Sequence, residues 1–155
     1  MGMEKVLSNE ALKNILHDVC VCEGYVEGLN DKVKGEALKA ELESFLFRLQ
    51  TAHKSLYAYL VVKRGDTHQK KYATILEEWM NEFKKCLLDS SEDYLKELMT
   101  MIKKAHQQLS TVLKGANMND PQLHRMLHIL YDDYAAAIYC FDRYLVTMEY
   151  QGTKS

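Results

Sequence analysis

Apolar residues recur along the chain at alternating intervals of three and four, in five separate runs. The first is Leu12, Ile15, Val19, Cys22, Val26 and Leu29; the second is Leu38, Leu42, Phe45, Leu49, Ala52, Leu56 and Tyr59. Tyr72, Leu76, Trp79, Phe83 and Cys86 form the third, and Leu95, Leu98, Ile102, Ala105, Leu109 and Val112 the fourth. The fifth is Leu127, Leu130, Tyr134, Ala137, Phe141, Tyr144 and Met148. Residues so spaced share one side of a helix with about 3.6 residues per turn, so each run predicts an amphipathic helix. Val19–Cys22 and Tyr57–Val62 hold β-favouring residues, but each lies inside a longer helical period, and length decides for helix.

Punctuation residues set the boundaries. Ser8 stands where an N-cap belongs, Asp66 and Gln69 have the spacing of a capping box, and Ser90 or Ser91 can cap the fourth helix. Gly115 suits a left-handed C-cap, and Asp120 followed by Pro121 is the clearest start signal in the chain. These signals place helices at about residues 9 to 29, 35 to 63, 67 to 88, 91 to 114 and 121 to 150. The connections are short, which makes successive helices antiparallel neighbours. Leu16, Leu46, Leu60, Met80, Leu113 and Leu145 lie beside the seams and widen each stripe to the face of a globular bundle. The prediction is an all-α chain, one domain over residues 1–155, folded as an up-and-down antiparallel bundle of about five helices. Phe45, Leu49, Trp79, Phe83, Ile102, Leu109, Leu130 and Phe141 are expected to meet in its core.

Two helices break the pattern. Helix five carries Ile129, Ala135, Ala136, Tyr139, Cys140 and Val146 outside its seam, so either the other four helices pack round it or its outer face meets another subunit. Helix one holds Gly24 and Gly28 one turn apart, each costing about 1 kcal/mol relative to alanine. Close approach of a neighbouring helix or early fraying of helix one accounts for them.

Composition narrows the function. A content of 47% hydrophobic and 27% charged residues excludes a disordered chain, and 20 basic against 22 acidic residues leave a net charge of -2. No global field then steers the chain onto nucleic acid or anionic lipid. No apolar run approaches the roughly 18 to 20 residues of a membrane span, and MGMEKVLSNE places an acid where a signal peptide would begin its apolar region. Gly2 is not followed by the hydroxyl residue that myristoylation needs, since Val6 holds that place. A cytoplasmic location follows as the expectation, with Cys20, Cys22, Cys86 and Cys140 as reduced thiols.

Candidate chemistry is sparse. The Glu-x-x-His pairs of di-iron bundles are absent, because the residues three before the six histidines are Asn14, Gln50, Gly65, Lys103, Pro121 and Arg125. His124, His128 and Asp132 are spaced four apart and could chelate a transition metal, although the helix phase turns them progressively away from the core. In the cluster His17, Cys20, Cys22 only Cys22 falls on the seam, while the other two lie toward the outer side, so zinc is not expected there. Neither a Gly-x-Ser-x-Gly elbow nor a phosphate-cradling glycine loop occurs, and no cofactor is expected. Lys63, Arg64, His68, Lys70 and Lys71 crowd one turn as a local anion patch, diluted by Asp66, Glu77 and Glu78. The expectation is therefore a non-enzymatic module that binds a protein partner or a second copy of itself, through Ile129, Ala136, Tyr139 and Val146. A metal-binding bundle using the His124, His128, Asp132 face is the alternative.

Overall fold

Five helices follow one another in the chain: α1 (Asn9–Leu29), α2 (Glu36–Arg64), α3 (Gln69–Lys85), α4 (Ser91–Gly115) and α5 (Pro121–Thr153). They are seen in a computed structural model that describes residues 7–65, 69–88, 90–115 and 120–153, and the side chains of all of these except 69, 70 and 151–153. Ser8 Oγ accepts the Ala11 N–H at 3.1 Å, and Ser90 Oγ accepts that of Asp93 at 3.2 Å, each satisfying a donor that the first helical turn leaves open. Asp120 Oδ1 does the same for Gln122 at 3.0 Å and Leu123 at 3.4 Å. At the end of α2, Gly65 takes φ 69, a left-handed conformation, and returns its N–H to Val61 at 3.2 Å. Gly115 does not repeat that device: it is the last residue of α4, and the positive-φ glycines among the described residues are Gly35 and Gly65. Asp66, the proposed capping-box residue, lies outside the described residues.

Cross-helix bonds fix the directions. Arg64, at the end of α2, donates to the Leu7 carbonyl and to Asn9 Oδ1 at the start of α1, so α1 and α2 are antiparallel. Tyr59 with Asp120 and Arg48 with Asp133 run α2 against α5, and Lys96 with Glu149 runs α4 against α5. The Lys34 N–H reaches Ser91 Oγ, which brings the end of α1 to the start of α4. Helices α1, α2, α5 and α4 thus close a four-helix ring in which each packs on the next.

The fifth element departs from the expected order. α3 packs mainly on α1 and lies outside the ring; it meets α2 and α4, which adjoin it in sequence, through ring contacts of Tyr72 with Tyr57 and of Phe83 with Tyr94 rather than along their length. Its backbone sits directly on Gly24 and Gly28, where a methyl group would stand 2.7 Å from the Leu76 carbonyl oxygen and 3.0 Å from that of Met80. Close approach, rather than fraying, explains the two glycines. Helix α1 is consequently the hub, touched by α2, α3 and α4, and residues Val19 to Gly24 are all buried. Helix α5 meets only α2 and α4 in substantial packing, so the other helices do not surround it.

The core matches the seams closely. Phe45 and Phe141 meet edge to face at 5.9 Å, and Leu49, Phe83, Ile102, Leu109 and Leu130 are buried with them. Trp79 is an exception. It is only half-buried, stacked on Tyr25 at 5.6 Å along the α1–α3 contact, because α3 lies outside the ring and its outer side is uncovered.

Candidate functional site

Around the axis of α5 the seam residues Leu127, Leu130, Tyr134, Ala137 and Phe141 point into the ring. Successive residues turn by about 100°, so Ile129, Asp132, Ala136, Tyr139, Arg143 and Val146 fall on the opposite side. All six are exposed, with Ile129, Tyr139 and Val146 at 54%, 68% and 59%. No described helix covers this face, because α2 and α4 hold the two flanks of α5: Cys140 and Asp133 contact α2, while Tyr131 stacks on His106 of α4. Beside it a groove of about 320 Å³ runs between α2 and α5, lined by Phe47, Arg48, Ala52, Leu56, Met126 and Ile129. Phe47 and Val62 of α2 are exposed as well, which extends the apolar surface across both helices.

His124 and His128 stack on each other at 4.2 Å in solvent, and Asp132 does not complete a set of three donors with them. In the basic turn, Arg64 is committed to the Leu7 carbonyl and Asn9, whereas Lys63 and Lys71 are exposed. Side chains of His68 and Lys70 lie outside the described residues.

A polar cluster that the seam analysis missed lies between α1 and α2. Glu23 is 2% exposed, and its Oε1 accepts a hydrogen bond from His53 Nδ1 at 2.8 Å. Cys20 Sγ lies 3.9 Å from both ring nitrogens of the same histidine. Cys20 is buried and not on the outer side, since the hub position of α1 leaves it no outer side along this stretch. Burial raises the pKa of the Cys20 thiol strongly, with a smaller push from the Glu23 charge. Cys22, fully buried, is raised for the same first reason. Opposite, the Tyr134 hydroxyl of α5 is buried with no hydrogen-bond partner among the described residues. Its pKa is raised first by burial and then by Cys22, Asp18, Cys20 and Glu23, so its phenol faces the same polar stretch of α1. One signal for this cluster was present in the sequence: Cys20 and Glu23, three apart, share a helix face beside the glycines.

Compared with protein-family models, curated proteins and solved structures, the chain finds no match. Among the described residues no helix is long and apolar enough to cross a membrane.

Proposed function

We propose that the protein is a non-enzymatic helical interaction module that pairs with a second copy of itself through the outer face of α5. The observation that carries this reading is the order of residues on that face. Ile129, Asp132, Ala136, Tyr139, Arg143 and Val146 follow the three-and-four spacing of a coiled-coil seam, separate from the one that faces the core. Reflected about the point between Ala137 and Ile138, Ile129 meets Val146, Asp132 meets Arg143 and Ala136 meets Tyr139.

Such a face is self-complementary under a two-fold axis, which is what a symmetric dimer requires. Two apolar layers, two small-against-large layers and two ion pairs follow from the one alignment. A parallel pairing would instead set Arg143 against Arg143 and Asp132 against Asp132, so the charges select the antiparallel arrangement. Tyr139 has the exposed ring of an interface anchor, and Arg143 already lies 5.8 Å from its centroid. The stripe from Ile129 to Val146 is only about 27 Å long, so the buried area stays below about 1,200 Å² and the dimer belongs to the weak, reversible class.

Sedimentation equilibrium tests the reading. Wild-type chain should associate reversibly at about micromolar to tens of micromolar concentration, and Tyr139→Glu should remain monomeric with unchanged helix content. A wild-type protein that stays monomeric at ten times those concentrations refutes it.

A further inference from the structure

We infer that Cys20, Glu23 and His53 form a binding site for one divalent transition-metal ion of the zinc class, set inside the contact between α1 and α2. Among the described residues these are the only three potential ligands whose donor atoms all lie within 4.8 Å of one another. The site is independent of the α5 face, which lies on the far side of the ring from α1.

The donor distances suit a tetrahedral ion. Zinc bonds of about 2.3 Å to sulfur and 2.0 to 2.1 Å to nitrogen or oxygen place neighbouring donors about 3.3 to 3.6 Å apart. His53 Nδ1 and Glu23 Oε1 are 2.8 Å apart, and Cys20 Sγ is 3.9 Å from the imidazole, so those values fall between the two observed separations. Side-chain shifts of about half an ångström, without helix movement, would admit the ion in place of the proton that now lies between Nδ1 and Oε1. Thiolate, imidazole and carboxylate together select a borderline-soft cation over magnesium or calcium, which take oxygen donors.

Burial gives a second reason. A carboxylate at 2% exposure pays a desolvation cost that a single hydrogen bond from an imidazole offsets only in part. A dication there neutralises Glu23 and the thiolate at once. His53 supplies the way in, because its side chain is 23% exposed while that of Glu23 is 3% exposed. With three protein ligands the fourth position stays open, the arrangement of a zinc site that can accept a water or an external ligand.

Titration of untagged full-length protein with Co²⁺ and then Zn²⁺ tests the site. Expected are one equivalent of Co²⁺ per chain, a sulfur-to-cobalt charge-transfer band, displacement by Zn²⁺, and a higher melting temperature with metal. Proton release on binding should accompany the band, since the thiol must ionise. Cys20→Ser should abolish the band, and His53→Ala should weaken binding at least tenfold, whereas Cys86→Ser with Cys140→Ser should retain both. Absence of any band in the wild-type chain overturns the inference without bearing on the α5 dimer. So does a band that survives Cys20→Ser, or bound metal with no sulfur band that disappears in His124→Ala with His128→Ala.

Discussion

Replacing Gly24 by alanine sets two large effects against each other, and the structure decides their balance. In a helix interior alanine is favoured over glycine by about 1 kcal/mol, so Gly24→Ala on an isolated α1 would be stabilising. Here the new methyl would lie 2.7 Å from the Leu76 carbonyl oxygen, 2.9 Å from the Met80 nitrogen and 2.9 Å from Trp79 Cβ. Two of those atoms are backbone and the third is bonded to it, so no side-chain rotation relieves the clash. Ordinary contact begins at 3.4 Å, and α3 must withdraw by about 0.5 to 0.7 Å along the helix that holds it. Overpacking of this kind costs about 1 to 3 kcal/mol, and a gap of that width forfeits a quarter to a half of each contact's dispersion energy. Subtracting the propensity gain leaves a net destabilisation of about 0 to 2 kcal/mol, concentrated in α3. Trp79 is the only tryptophan and stacks on Tyr25 across this contact, so its fluorescence reports α3 docking directly. Emission should shift to the red and α3 amides should exchange faster, while the ring helices change little. Gly115→Ala is the control: nothing lies within 4 Å of its would-be methyl and its φ is not positive, so it should be neutral or stabilising by up to about 1 kcal/mol. A Gly24→Ala protein that is about 1 kcal/mol more stable than wild type, with unchanged Trp79 emission, would show that α3 does not sit on this notch.

Phe141→Ala removes a ring packed edge to face on Phe45 inside the ring and should cost about 3 to 5 kcal/mol by chemical denaturation; His128→Ala, on the exposed side of the same helix, should change stability by less than about 0.5 kcal/mol. Asp120 has its pKa lowered first by the hydrogen bond from Tyr59 and then by the Leu123 and Gln122 amides and Lys63. Its folded pKa is below the unfolded one, so its contribution is present above the unfolded value and fades as pH falls through the folded value. The melting-temperature difference between wild type and Asp120→Asn should therefore shrink below about pH 4, and a difference constant from pH 7 to about pH 2 contradicts the assignment.

Most of the fold was legible because the three-and-four spacing is a property of one helix at a time. The seams of α1, α2, α4 and α5 name buried residues except at Ala52, Val112, Tyr144 and Met148, which are half-buried, and Ser8, Ser90 and Asp120 cap the helices they precede. Which helix stands at the centre was harder, because it depends on relations between helices. Apolar residues outside the seam left α5 either surrounded by the other helices or facing another subunit, and the exposure of Ile129, Tyr139 and Val146 removes the first alternative. The true hub, α1, achieves burial on several sides with small residues, Cys20, Gly24 and Gly28, that score as weakly hydrophobic or as helix breakers. Its position also accounts for the missed cluster. His53 lies between the seam residues Leu49 and Leu56 in sequence, and its pairing with Glu23, thirty residues earlier, appears only once α1 and α2 are set side by side.

The most direct test of the α5 pairing is a charge-reversal cycle read by sedimentation equilibrium. Asp132→Arg alone places four cations in one antiparallel seam and should abolish the dimer, as should Arg143→Asp, which places four anions there. Combined in one chain, Asp132→Arg and Arg143→Asp restore opposite charges across the two-fold axis, and self-association should return to within about tenfold of the wild-type constant. Dimers that survive either single reversal, or a double variant as monomeric as the singles, would contradict the antiparallel alignment of Asp132 with Arg143.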